Sequence, residues 1–500
     1  MSHAGRSGGR TARVVVVGAG MVGHRFVDEL SRLAPDVDIT LLGEEPYQPY
    51  SRVLLTELIA GRVDLAGLSL PTTDGSRVRM ELGVAVIEID RERRCVVTTQ
   101  GEHPYDHLVL ATGARGRIPL LPGLRDGLPR GAHVLRTLDD ARDISAGALN
   151  VDHAVVVGSG PLGVELACGL RRRGVAVTVL SSAPHLLDRA LDPGAGRIAQ
   201  GAAEGLGIEV VSAVQIAAVG VSDGRVTAVR LRDGVSYPAG LVVLAAGTTP
   251  ETGLARAAGL ETNVGIVVGD GLRTTLDRRI AAIGDCAETP AGISGLVAPG
   301  WAQARALARS IALDVPVELP AVSGSAMSLK AAGLSVVTMG DRSTTAHEGD
   351  RVVSLADPQV HRHVELVTRG DTLAGFTCVG APELAAHLST QFDRPGLLPE
   401  DPLHLLAGSG SARPPAASPT AMPAATTVCR CNGVTKGDLV AAWDEGSTTV
   451  DSLAAATAAT TGCGGCRELV CGLVDWLERS DPHAASQSAP TTRETSVPTG

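Results

Sequence analysis

Aromatic side chains are nearly missing: 2% of 500 residues, as three Phe, four Tyr and three Trp. Packing must therefore rest on Val, Leu, Ile and Ala, and the 44% apolar content is enough to do so in several cores. At about 150 residues per domain the length predicts about three domains. Lysine is almost missing too: Lys330 and Lys436 stand against 42 arginines, which reads as a compositional habit. Basic blocks are lacking and the net charge is −10, which argues against a nucleic-acid partner. No uncharged apolar run reaches the roughly 18 residues of a membrane span. The polar first thirteen residues lack the apolar stretch of about 7–15 residues that marks a signal peptide. The expectation is a soluble, cytoplasmic chain with no membrane contact.

Nine cysteines is an odd number. In a cytosolic chain, thiols stay reduced or bind metal where they cluster. Cys95, Cys168, Cys286, Cys378 and Cys471 are scattered, whereas Cys429, Cys431, Cys463 and Cys466 form a pattern. Residues 1–11 read as disordered. From Arg13 to about Leu406, apolar runs at 14–17, 108–111, 154–157 and 241–246 alternate with helical stretches. Such runs suit parallel strands buried on both faces, so the fold class is α/β. Residues 407–427 read as a flexible Ala/Pro/Ser-rich linker and 477–500 as a disordered Ser/Thr/Pro-rich tail.

Residues 14–23, VVVVGAGMVG, run an apolar strand into Gly18-x-Gly20-x-x-Gly23 and a helix opening at Met21. The first glycine permits a tight turn, the second lets a pyrophosphate approach the backbone, and the third lets the helix pack on the strand. The phosphates would sit at the helix N-terminus. Glu44 follows Gly23 by 21 residues, where an acid can hold ribose hydroxyls. The motif recurs 140 residues on as Gly158, Gly160 and Gly163. There the next strand ends in Ser181-Ser182, with no acid to favour NADH, and Arg171–Arg173 could be solvated or could serve NADPH. Glu165 reads either as a charge favoured by the helix N-terminus or as a group at a flavin–nicotinamide contact.

Two further segments, LVLATG at 108–113 and IAAIGDCAE at 280–288, complete a pattern that resembles the two-dinucleotide flavoproteins of the pyridine nucleotide–disulphide oxidoreductase type. The resemblance covers about residues 12–315. It implies FAD on Gly18, Gly20, Met21, Gly23, Glu44, Arg52, Ala111, Thr112, Gly113, Gly284 and Asp285. It implies NAD(P)H on Gly158, Gly160, Gly163, Glu165, Ser181 and Gly247. The implied arrangement is two Rossmann-like domains, for FAD (12–125 and 246–316) and for NAD(P)H (126–245), with an α+β interface domain at 317–406. A hairpin is expected through Arg369-Gly370-Asp371. A CxxxxC pair is lacking after Gly23, which excludes the disulfide-reductase branch, so Cys286 reads as a packing residue. Residues 47–57, YQPYSRVLLTE, resemble a stretch of ferredoxin and rubredoxin reductases, several of which carry Lys where this chain has Glu57.

Cys429-x-Cys431, 31 intervening residues and Cys463-x-x-Cys466 offer four thiolates for zinc or a [2Fe–2S] cluster. A C-x-C half is unusual for structural zinc. The spacing resembles the bacterioferritin-associated-ferredoxin type of [2Fe–2S] domain, here a small helical module at 428–476. Thr435-x-x-Asp438 predicts a capping box opening a helix to about Glu445. Further helices are expected over 449–458 and after Cys466.

This order of domains resembles the N-terminal part of assimilatory NAD(P)H nitrite reductase large subunits and the electron-transfer subunit of assimilatory nitrate reductase. The resemblance implies delivery of electrons from NAD(P)H, through FAD and a [2Fe–2S] cluster, to a separate nitrate or nitrite reductase catalytic subunit. The sirohaem-binding cysteines of the nitrite enzymes are lacking, and 29 residues follow Cys471, so the chain is not expected to reduce nitrite itself. A reductase for another acceptor, such as an oxygenase, and a redox- or iron-sensing protein with little turnover are the alternatives.

Overall fold

The computed structural model describes residues 11–71, 75–319, 326–392, 398–399, 401–407, 422–429, 432–462 and 464–480. Two compact units divide near residue 410.

In the first unit the four-valine run lies in the strand Arg13–Val17, its valines at most 5% exposed. It sits at the centre of a five-stranded sheet, flanked in parallel by Asp38–Gly43 and His107–Leu110. Ile280–Ala282 joins the far side of His107–Leu110, so a late segment completes a sheet begun at residue 13. The second fingerprint repeats the plan. His153–Val157 is central, between Ala176–Leu180 and Leu241–Leu244, with Ile208–Val211 and Ala132–Val134 at the edges. Being buried on both faces explains why these strands read as continuous apolar runs. The strand expected over 241–246 stops at Leu244, because Ala245-Ala246-Gly247 turns to lie against the second fingerprint.

The third region is an antiparallel sheet in the order Met327–Ser328, Val336–Gly340, Thr372–Val379, Arg362–Arg369, Arg351–Asp357. Its central hairpin turns at Gly370, in the left-handed region at φ 55°, with Arg369 opposite Thr372 as expected. Helix Pro382–Phe392 packs on Val336–Gly340 and Thr372–Val379; helix Pro193–Gly205 packs on Arg362–Arg369 and Thr372–Val379.

The second unit pairs Thr427–Cys429 with Val434–Thr435 and then forms helices Lys436–Asp444, Val450–Thr457 and Arg467–Ser480. The expected capping box is present: Thr435 Oγ1 accepts from Asp438 N at 3.2 Å, and Asp438 Oδ2 accepts from Thr435 N at 2.8 Å. Leu439, Leu453, Val470 and Leu473 form its core. The strand at Thr427 begins inside the stretch expected as linker; residues 408–421 and the expected disordered segments 1–10 and 481–500 lie outside the described residues. No described helix is long and apolar enough to cross a membrane.

Candidate functional site

The two glycine fingerprints are geometric copies. Gly18 adopts φ 111° and Gly158 φ 119°. A Cβ on Gly18 would fall 2.2 Å from the Ala111 carbonyl oxygen, and one on Gly158 2.4 Å from that of Ala245. Cβ atoms on Gly23 and Gly163 would collide with the carbonyl oxygens of Gly18 and Gly158, at 2.0 and 2.1 Å. The middle glycines differ. A Cβ on Gly160 would meet nothing within 4 Å, and one on Gly20 only Arg52 Nε at 3.9 Å. Each middle glycine is the extended N-cap residue of its helix and makes no side-chain cap. Each fold thus holds an open cradle at a helix N-terminus, where the first N–H groups have no intrahelical acceptor and no side-chain cap, which is the geometry a pyrophosphate requires.

Ala111-Thr112-Gly113 backs the first cradle, and Ala245-Ala246-Gly247 backs the second. Thr112 Oγ1 donates to Glu251 O at 2.9 Å. Arg52 faces the first cradle: its guanidinium pairs with Glu45, donates to Arg136 O at 3.2 Å and lies 5.4 Å from the centre of the Tyr50 ring. Arg136 in turn pairs with Asp285 at 2.5 Å and donates to Ala114 O at 2.8 Å. Gly284 N donates to Gln303 on helix Val297–Leu313, and Trp301 of that helix donates to Met21 O at 3.2 Å. These bonds bring Met21, Arg52, the 111–113 turn, Gly284 and Asp285 together around one cradle. Glu44 is exposed at the end of its strand, while the neighbouring Glu45 is engaged by Arg52 and by Tyr50 OH at 2.7 Å. Cys286 is fully buried, its thiol directed at Leu110 O and Ile283 O, and burial raises its pKa, as befits a packing residue.

At the second cradle Ser181 is buried and shares a 2.6 Å hydrogen bond with Ser159. Arg171 donates to Leu206 O, and Arg173 to Ile59 O and Leu58 O. Two of the three arginines thus hold backbone carbonyls, a role that neither sequence reading anticipated.

Glu165 is 7% exposed on the helix that follows Gly160. It accepts from Thr56 Oγ1 at 2.8 Å and from Lys330 N at 2.9 Å, and pairs with Lys330 Nζ at 3.3 Å. Lys330 therefore brings a cation to this helix from the third region, close enough to Glu57 to favour its charged form. Sequence reasoning missed Lys330, Arg136 and Glu45. The scarcity of lysine was a usable signal: Lys436 is also engaged, donating to Met422 O at 2.8 Å and stacking 4.9 Å from the Trp476 ring. A compact ammonium fits such partly buried niches where a guanidinium fork does not.

Burial raises the pKa of Glu57 above its ordinary 4.5, and Arg62, whose Nε lies 3.1 Å away, offsets this only in part. The fold therefore prefers the protonated acid: its stabilising contribution is complete below pH 4.5 and is lost as pH rises through the elevated pKa. Glu57→Gln should raise the thermal midpoint near neutral pH, with the gain fading as pH is lowered toward the unfolded value. Thermal unfolding across a pH series checks this.

In the second unit Cys429 is buried and Cys466 half-buried. The two thiols hydrogen-bond, and that bond, with N–H donors from Asn432 and Thr460, brings the Cys429 pKa down to about 6. Asn432 Nδ2 also approaches Cys429 Sγ at 3.7 Å and donates to Ala458 O. Backbone and amide donors aimed at a thiolate are what an iron–sulfur ligand uses. Cys431 and Cys463 lie outside the described residues. Cys471, outside the cysteine pattern in sequence, lies on the last helix.

These features agree with what the chain resembles. The sequence profile of the pyridine nucleotide–disulphide oxidoreductases matches residues 12–305, and that of the BFD-like [2Fe–2S] binding domain matches residues 427–476. The chain is 32% identical over 490 residues to nitrite reductase [NAD(P)H] of Bacillus subtilis, covering 95% of this chain and 59% of that one. It is 32% identical over 480 residues to the assimilatory nitrate reductase electron transfer subunit of the same organism, covering 94% and 60%. The chain thus spans about three-fifths of these relatives. A ferredoxin reductase from Rhodopseudomonas palustris superposes with a TM-score of 0.65 at 27% identity, covering 76% of this chain and 93% of that one. With both cradles, the cysteine site and these matches in agreement, the chain belongs to the pyridine nucleotide–disulphide oxidoreductase family, with FAD and NAD(P)H as its nucleotide cofactors and a BFD-like [2Fe–2S] binding domain at residues 427–476.

Proposed function

We propose that the chain takes electrons from NAD(P)H and passes them singly to a separate catalytic subunit of assimilatory nitrate or nitrite reductase. When bound, NAD(P)H supplies a hydride, FAD accepts the electron pair and can part with it in single steps, and a [2Fe–2S] cluster carries one electron at a time. The chain's own residues bind and orient these groups. In this reading the cradle at Gly18, Gly20 and Gly23 holds the FAD pyrophosphate, with Met21 on the first helical turn and Arg52 above it. Glu44 serves the adenine ribose, Ala111–Gly113 line the site, and Gly284 and Asp285 serve the ribitol, the latter aimed by Arg136. The cradle at Gly158, Gly160 and Gly163 holds NAD(P)H, with Ser181 and Gly247 lining it. Glu165, fixed by Thr56 and Lys330, orients the contact between the two nucleotides. Cys429, Cys431, Cys463 and Cys466 ligate the cluster. The domain limits follow the same division: 12–125 with 246–316, 126–245, 317–406 and 428–476.

The single observation carrying this reading is the pair of open cradles in one chain with a donor-lined cysteine site. The choice of acceptor follows the relatives: the nitrite and nitrate enzymes are matched over nearly the whole chain, cysteine module included, and the ferredoxin reductase over 76% of it. Anaerobic titration with NADH and with NADPH tests it. The yellow flavin absorbance should bleach first and the cluster absorbance second. A chain purified without flavin or inorganic sulfide, or one that neither nucleotide reduces, would overturn the reading.

A further inference from the structure

Three side chains outside both cradles and the cysteine module converge where helix Pro193–Gly205 meets the antiparallel sheet. Asp192 is the N-cap of that helix. Its Oδ1 accepts from Gly194 N at 2.7 Å and from Ala195 N at 3.2 Å. Its Oδ2 is buried and has no hydrogen-bond partner among the described residues. His363 and Glu365 lie two residues apart on strand Arg362–Arg369, so both project from the same face. They are 5% and 3% exposed. Glu365 Oε1 accepts from Ser343 N at 2.8 Å. Both ring nitrogens of His363 are buried without a hydrogen-bond partner among the described residues, and Nε2 stands 3.7 Å from Asp192 Oδ2. One ligand atom from each of the three residues falls within 4.8 Å of the other two.

We propose that Asp192, His363 and Glu365 bind a divalent first-row transition ion of the zinc class, which clamps the helix N-terminus to the sheet. The cluster is poorly satisfied without a cation. A buried polar group left unpaired is destabilising, and two neighbouring carboxylates repel one another. A His363–Asp192 ion pair alone does not repair this, since 3.7 Å is too long for a hydrogen bond and Nδ1 stays unpartnered. A single ion answers all three residues. Zinc bonds of about 2.0–2.2 Å in a tetrahedron place ligand atoms about 3.4 Å apart, so the side chains need close by at most about 1.4 Å. One imidazole and two carboxylates suit zinc better than magnesium, which takes oxygen ligands, or copper(I), which takes thiolates. The helix N-terminus disfavours a cation, but Asp192 already answers its N–H groups.

The test is calorimetric titration of Zn2+ into the anaerobic holoprotein, in which the cluster would occupy the four patterned cysteines and Cys95, Cys168, Cys286 and Cys378 are buried. The expected result is one zinc per chain, a raised thermal midpoint, and no such response to Mg2+. Co2+ in the same site should give a visible spectrum without a thiolate charge-transfer band. His363→Asn and Glu365→Gln should weaken zinc by at least about tenfold, the size of effect known for groups merely supporting a metal ligand. His347→Asn, at an exposed position, should leave binding unchanged. No stoichiometric uptake, a thiolate band with Co2+, or equal affinity in both site variants would overturn the proposal. Should the variants fail to fold, wild-type stoichiometry and the cobalt spectrum still decide it. None of these readouts depends on electron transfer.

Discussion

Cys429→Ser should leave reduction of the flavin by NAD(P)H intact and lower delivery to a one-electron acceptor by at least about 100-fold. Cys429 is the buried thiol on which the Cys466 hydrogen bond and the Asn432 and Thr460 donors converge. A serine there keeps the size of the side chain but offers a poor ligand to iron. Losing a supporting partner of a metal ligand already costs about 10–100-fold, so losing the ligand itself should cost more. Cys471→Ser is the control: that residue lies on helix Arg467–Ser480, outside the pattern, and its loss should keep the cluster absorbance. The two activities are read separately, flavin bleaching by anaerobic stopped flow and acceptor reduction in the steady state. If Cys429→Ser lacked the cluster yet served the acceptor at the wild-type rate, the cluster would not be on the electron route.

Gly160→Thr should raise the dissociation constant for NAD(P)H roughly 100-fold with FAD content and thermal midpoint nearly unchanged. A Cβ at Gly160 meets nothing within 4 Å, and the position is an extended N-cap, which threonine adopts readily. The new hydroxyl would take the same helix N–H groups that a pyrophosphate needs, and the methyl would fill the cradle. Losing one or two charge-assisted hydrogen bonds at about 1.5–3 kcal/mol each accounts for the factor. Gly158→Ala, two residues earlier, should act oppositely, on folding before binding. Its Cβ would lie 2.4 Å from the Ala245 carbonyl oxygen at φ 119°, a cost of about 3 kcal/mol or more. Gly20→Thr completes the comparison and should lower FAD content instead. Fluorescence titration with NADH and NADPH, flavin-to-protein ratio and thermal unfolding measure the three outcomes. If Gly20→Thr lost the nicotinamide and Gly160→Thr lost the flavin, the assignment of the two cradles would be reversed.

Much of this protein was decided by local sequence. The central strands, the two fingerprints, the hairpin at Gly370 and the capping box at Thr435 depend on patterns within a few residues. Backbone sterics and hydrogen-bond satisfaction act over that range, so the residues announce their roles. Tertiary structure alone decided how the buried charges are shared: Glu45 rather than its neighbour Glu44 meets Arg52, Arg136 meets Asp285 across 149 positions, and Lys330 reaches Glu165 across 165. Arg171 and Arg173 were likewise claimed by carbonyls that no local pattern pairs with them. A charge taken from water must find its partner wherever the packed chain puts one, and that partner is set by the meeting of sheets and helices, which no periodicity records.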